Sequence, residues 1–116
     1  MGYLVLNKLE QHEMTEGVKL RLISGDQMTM AFFHLAPGAV IPEHAHPNEQ
    51  MGTVLKGSIL LTIGGEEKTV AAGIVYRVPS NVPHSGRCLG VSSEVLEIFS
   101  PPREDLLQKF KIKKQP

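Results

Sequence analysis

The sequence predicts an all-β sandwich or barrel with one short C-terminal helix, and three observations predict it. From Val18 onward, short segments rich in Val, Ile, Leu, Thr and Phe recur at fairly regular intervals. Gly, Pro or Asn separates them, and these are the residues that supply turns. Helical periodicity is nearly absent before residue 101.

The expected strands are, in order, residues 18–24 (VKLRLIS), 28–36 (MTMAFFHLA), 40–46 (VIPEHAH), 50–57 (QMGTVLKG), 58–64 (SILLTIG), 68–72 (KTVAA), 74–79 (IVYRVP) and 94–100 (EVLEIFS). Turns are expected at SGDQ, APGA, KGS, GGEE, AAG and PSNVP. GGEE, lying between SILLTI and KTVAA, predicts a hairpin. Residues 101–110 (PPREDLLQKF) read as a helix packed on the outside of the barrel. Proline suits its first turn, Glu104 and Asp105 suit the positive N-terminal end, and Leu106, Leu107 and Phe110 form an apolar stripe.

At 116 residues the chain fits one domain, residues 1–116. Hydrophobic residues at 41% against charged residues at 21% are enough to offset the entropy of ordering, so the chain should fold alone. Twelve basic residues balance twelve acidic ones, which leaves no net field to recruit nucleic acid or an anionic membrane. A small molecule is the expected partner. No apolar run approaches the ~20 residues of a membrane span, and the N-terminus has no basic start or cleavage site. Cys88 is the single cysteine and reads as a small buried hydrophobe in a reducing cytoplasm. His12 and His34 read as surface or locally bonded residues. Met28, Met30 and Met51 read as core or subunit contact, and the tail KFKIKKQP as solvated chain.

The stretch PGAVIPEHAHPNEQMGTVLKG holds the chemistry. His44 and His46 stand two apart on a predicted strand, so both rings point to one side. Gln50 follows after a turn and shares a face with Gly52 and Val54, which would set an amide oxygen beside the imidazoles and a side-chain-free gap, room for a ligand, next to it. Glu49 alternates to the other face, and Glu43 also reads as outside. In PSNVPHSG, His84 follows a strand, where a hairpin could bring a third imidazole to the same point. Three histidines and one oxygen donor suit one divalent first-row metal such as nickel, manganese, iron, copper or zinc.

These residues resemble the cupin family of small jelly-roll barrels, also described as double-stranded β-helices. Gly38, His44, His46 and Gly57 fall at the spacings of the first cupin motif, with Gln50 at its glutamate position. Gly73, Pro79 and His84 match the second motif, with Asn81 replacing a glycine and Cys88 the final asparagine. Fifteen residues separate the motifs, as in compact cupins. The resemblance covers about residues 30–100 and implies a metal held by His44, His46, Gln50 and His84. Glutamine is neutral, so a bound cation keeps its full charge and favours an anionic ligand.

Read together, PEHAHPNEQMGTVLKG, PSNVPHSGR and EIFSPPRED resemble the small KdgF-type cupins, which linearise 4,5-unsaturated monouronates released from pectin or alginate. Glu97, Phe99 and Arg103 occupy the spacing of that group's acid, phenylalanine and arginine, with Glu97 where aspartate is usual. The resemblance implies an isomerase in which Glu97 moves a proton and Arg103 grips the substrate carboxylate; Arg87 is a second candidate for that grip. A metal-dependent oxygenase and a noncatalytic sensor or storage cupin are the alternatives. An exposed sheet edge on so small a barrel predicts a homodimer.

Overall fold

The computed structural model describes residues 2–115. Ten strands are described: β1 (His12–Thr15), β2 (Val18–Ser24), β3 (Thr29–Leu35), β4 (Val40–His44), β5 (Glu49–Lys56), β6 (Ser58–Ile63), β7 (Glu66–Ala71), β8 (Val75–Val78), β9 (His84–Cys88) and β10 (Ser93–Ser100). A 3-10 turn (Leu6–Lys8) precedes them and one helix, α1 (Glu104–Lys109), follows. The strands form a six-stranded sheet in the order β1-β2-β3-β10-β5-β8 and a four-stranded sheet in the order β4-β9-β6-β7. Every pairing is antiparallel, which gives the expected double-sheet jelly roll.

Alternation along the strands builds the core. Val18, Leu20 and Leu22 from β2, Ala31, Phe33 and Leu35 from β3, Ile59 and Leu61 from β6, and Val95 and Phe99 from β10 face one another and are buried. Each large side chain removed from water stabilises the fold by roughly 1.5–3 kcal/mol. Leu106 of α1 joins this cluster, so the helix closes one side of the core as well as covering the barrel.

Turn chemistry explains the sharpest boundaries. Gly64 and Gly65 both have positive φ and join Ile63 to its partner Glu66, which makes a two-residue turn with β7 starting at Glu66, earlier than expected. Gly57 has φ +80°, and a Cβ there would lie 2.2 Å from Ser93 Oγ and 2.7 Å from the Ser92 carbonyl oxygen. The second glycine of the first motif is therefore fixed twice, by conformation and by space.

Four expectations need correction. β1 was not foreseen, because HEMT has no long apolar alternation. β9, which follows the expected PSNVP turn, was not among the expected strands, because its serine and glycine mask a strand whose alternate residues His84 and Cys88 are buried. β4 ends at His44, so His46 lies beyond the strand. Met28 and Met51 are exposed, which removes the core half of their reading and leaves the subunit contact.

Candidate functional site

The three histidines reach one place by three routes. His44 ends β4 and is the register partner of His84, which begins β9; their ring centroids are 4.2 Å apart. His46 arrives from the following loop, 5.6 Å from His44 and 4.9 Å from His84. One nitrogen from each ring lies within 4.8 Å of the others.

The hydrogen bonds at the far side of each ring settle the tautomers. Nδ1 of His44 faces the Pro42 carbonyl at 2.8 Å, Nδ1 of His84 faces Val82 at 2.9 Å, and Nδ1 of His46 faces Asn48 at 3.0 Å. A carbonyl oxygen only accepts, so each Nδ1 carries the hydrogen and each neutral ring presents an Nε2 lone pair. Burial lowers the His84 pKa to about 4, and burial followed by the Arg103 charge lowers that of His46. Both rings are thus kept in the neutral form that binds metals.

Two further observations test the fit to a cation. Nε2 of His84 is buried without a hydrogen-bond partner among the described residues. Nε2 of His46 lies 3.1 Å from Gln50 Oε1, which places two acceptors against each other. Such contacts are costly unless a cation or proton lies between them. The donor set of three imidazole nitrogens and an amide oxygen fits a divalent transition metal.

Gln50 is buried on β5 and its amide is oriented from behind, since Nε2 donates to Glu97 Oε2 at 2.5 Å. The Tyr76 hydroxyl donates to the same oxygen at 2.6 Å. Burial raises the Glu97 pKa, opposed by these hydrogen bonds and by the Arg103 charge. Burial and then the neighbouring Glu97 charge raise the Tyr76 pKa, so the phenol keeps its proton. Phe99 meets the His46 ring edge-on, with centroids 5.6 Å apart.

Arg103 completes this end of the cavity. It is 5% exposed, and its guanidinium carbon lies 4.7 Å from the Phe99 ring centroid. Its Nε and Nη2 donate to the two Asp105 oxygens at 3.0 and 2.9 Å, which lowers the Asp105 pKa. Nη1 takes no part in that pair. His44, Gln50, His84, Glu97, Phe99 and Arg103 all line one cavity, whose inner wall is apolar. Arg87 borders the same cavity but is exposed, on the side of β9 opposite His84 and Cys88, so it stands apart from this buried cluster.

The gap at Gly52 is not open space: the Tyr76 ring fills it, and a Cβ there would lie 2.5 Å from Tyr76 Cζ. Tyr76, Asn48 and Asp105 are the residues that sequence reasoning missed. The signal for Tyr76 was its alternation with the inward Val78, opposite a glycine. Asn48 offered none, because its partners, the Pro101 and Pro102 carbonyls, are remote in sequence. Glu49 instead pairs with Arg77 at 2.6 Å on the outer face, and Glu43 is exposed.

A family model described as "Cupin domain" matches residues 31–99, the span that carries these residues from Phe99 back through the histidines. The chain is a cupin. This cupin is 30% identical over 107 residues to the pectin degradation protein KdgF of Dickeya dadantii (strain 3937), covering 90% of this chain and 97% of that protein. It is 34% identical over 88 residues to the HTH-type transcriptional regulator PuuR of Escherichia coli (strain K12), covering 71% of this cupin but only 48% of the regulator. The solved structure of KdgF from Halomonas sp. matches this cupin with a TM-score of 0.86 at 22% identity, covering 92% of this chain and 99% of that one. No helix among the described residues is long and apolar enough to cross a membrane.

Proposed function

We propose that this cupin is a metal-dependent isomerase that linearises 4,5-unsaturated monouronates derived from pectin or alginate. One observation carries the reading: a half-buried carboxyl with a raised pKa, Glu97, shares a cavity with two of the three clustered imidazoles, His44 and His84, and with a buried arginine. The similarity to KdgF, a pectin degradation protein, supports the substrate class.

The substrate is a cyclic enol ether bearing a hemiacetal and a carboxylate. In the reaction the hemiacetal hydroxyl gives up its proton, the ring C–O bond breaks to leave an aldehyde, and the alkene carbon remote from the carboxylate gains a proton. One proton leaves, one arrives, and the product is an open keto-aldehyde acid. No oxidant or second substrate is needed.

The residues divide the work. Nickel, manganese, iron or zinc bound at a ratio of one per chain by His44, His46, His84 and Gln50 would supply Lewis-acid polarisation of substrate oxygens. Glu97, whose proton affinity is raised by burial, holds the proton that the alkene carbon receives. Arg103 grips the substrate carboxylate with the Nη1–Nη2 edge, because Asp105 already occupies the Nε–Nη2 edge. Phe99 supports the guanidinium by stacking and walls off His46 from the helix side. The test is turnover of a lyase-generated monouronate above its spontaneous opening.

A second reading, a noncatalytic sensor domain, draws on the similarity to the regulator PuuR. Glu97 favours catalysis, since a sensor for an anion gains nothing from a carboxyl in its pocket. An oxygenase is the weaker alternative, since the cavity places a carboxyl and a cation at its polar end. We further place the reaction in the cytoplasm, where the buried thiol of Cys88 suits a reducing medium. A homodimer would cover the outer face of the six-stranded sheet, where Met51, Val75 and Ile98 are exposed beside the edge strand β8.

A further inference from the structure

One cross-strand row sets the stage. Glu97 on β10 faces Gly52 on β5, and Gly52 faces Tyr76 on β8. Residues two strands apart stand about 10 Å from each other, too far for most side-chain pairs. Here the middle residue has no side chain. The Tyr76 ring lies over Gly52, close enough that a Cβ there would sit 2.5 Å from both Cζ and Oη. The hydroxyl crosses the strand and reaches Glu97 Oε2 at 2.6 Å.

Gln50 donates to that same oxygen. Two donors therefore converge on Oε2, whereas Oε1 takes no hydrogen bond among the described residues. Unlike Nε2 of His84, Oε1 is not sealed from solvent. Two hydrogen bonds on one carboxyl oxygen favour negative charge there and leave the proton to the other. They also fix the plane of a side chain with three rotatable bonds, and orientation is a large part of a proton-transfer rate.

We propose that Tyr76 is a positioning residue for Glu97: reaching across Gly52, it joins Gln50 in holding Oε2, so that Oε1 is the oxygen that passes the proton to substrate. The inference rests on the isomerase reading above. Within it, Gly52 serves as a passage for the phenol, and Glu97 gains from the crossing tyrosine the rigidity that its longer side chain would otherwise lack. In the transfer, the Oε1–H bond breaks as the C–H bond forms at the alkene carbon, and the proton released by the hemiacetal hydroxyl restores the balance.

The test uses the full chain loaded with zinc, in two arms. The kinetic arm compares wild type, Tyr76→Phe, Gly52→Ala and the double variant on an unsaturated monouronate. Tyr76→Phe keeps the ring over Gly52 and so keeps the fold; it should lower kcat by at least about tenfold while KM and metal content stay within about twofold. Gly52→Ala displaces the phenol and should lose the same factor, and the double variant should be no worse than either single one. Wild-type kcat in Tyr76→Phe, or losses that multiply in the double variant, would overturn the proposal. The spectroscopic arm exploits the presence of two tyrosines and no tryptophan, with Tyr3 99% exposed. In a Tyr3→Phe chain Tyr76 is the sole tyrosine, and its emission, quenched by the bonded carboxyl, should rise on Glu97→Gln. Unchanged emission would overturn the contact whatever the kinetics. Absence of turnover by wild type, with the emission response intact, would instead overturn the isomerase reading and the proton role of Oε1 with it.

Discussion

The side-chain amide of Asn48 donates to the carbonyl oxygen of Pro101 at 2.6 Å and also reaches that of Pro102 at 3.1 Å. The backbone oxygen of the same residue accepts from His46. One buried asparagine thus ties the loop that aims an imidazole to the segment that delivers Arg103. Asn48→Ala leaves the Pro101 carbonyl unpartnered, while that of Pro102 keeps the Glu104 N–H, and should cost about 1–3 kcal/mol in chemical denaturation. Metal content should persist, because the His46 bond uses main chain.

Metal binding should follow the tautomers. Protein purified without chelator should hold close to one divalent transition metal per chain by elemental analysis, and adding metal to stripped protein should raise its Tm by mass action. His44→Ala combined with His84→Ala removes two of the three aligned Nε2 donors. The double variant should lose both the metal and the Tm response. Retention of wild-type metal would refute the ligand set.

The motif glycines should differ in cost. Gly38 has φ +77° with open space around its missing Cβ, so Gly38→Ala should lose only about 1–2 kcal/mol from the left-handed backbone. Gly57→Ala adds a clash with Ser93 and the Ser92 carbonyl, and should lose more than about 2 kcal/mol. Paired denaturation curves read the difference directly.

What could be read in advance depended on how local the cause was. The Gly64–Gly65 turn and the strands flanking it follow from neighbouring residues alone, and so did the alternation that turned Gln50 inward and Glu49 outward. The motif spacing placed His44, His46 and His84 in the chain, whereas their convergence depends on the β4–β9 pairing, and β9 was hidden because Ser85 and Gly86 carry little strand propensity. Tyr76 and Asn48 act through partners from 21 to 54 positions away, which no local pattern encodes. The missing side chain at Gly52 was visible, but what fills the gap came from a strand whose register the sequence left open.

Glu97 and Arg103 should fail in different ways. Glu97→Gln keeps the shape but removes the transferable proton, and should lower kcat by roughly 10² to 10⁴ with metal content unchanged. Arg103→Ala removes a grip that is equal in ground and transition states, so it should act mainly by raising KM. Steady-state kinetics on one substrate separate the two. An equal loss of kcat in both variants with KM unchanged would contradict the assigned roles.

The most direct measurement follows the ultraviolet absorbance of the conjugated alkene in a lyase-generated monouronate, with metal-loaded wild-type protein, metal-stripped protein and no protein side by side. The metal-loaded protein should consume the absorbance well above the spontaneous rate on a pectin- or alginate-derived monomer, and stripped protein should not. Loss at only the spontaneous rate on both monomers would contradict the isomerase.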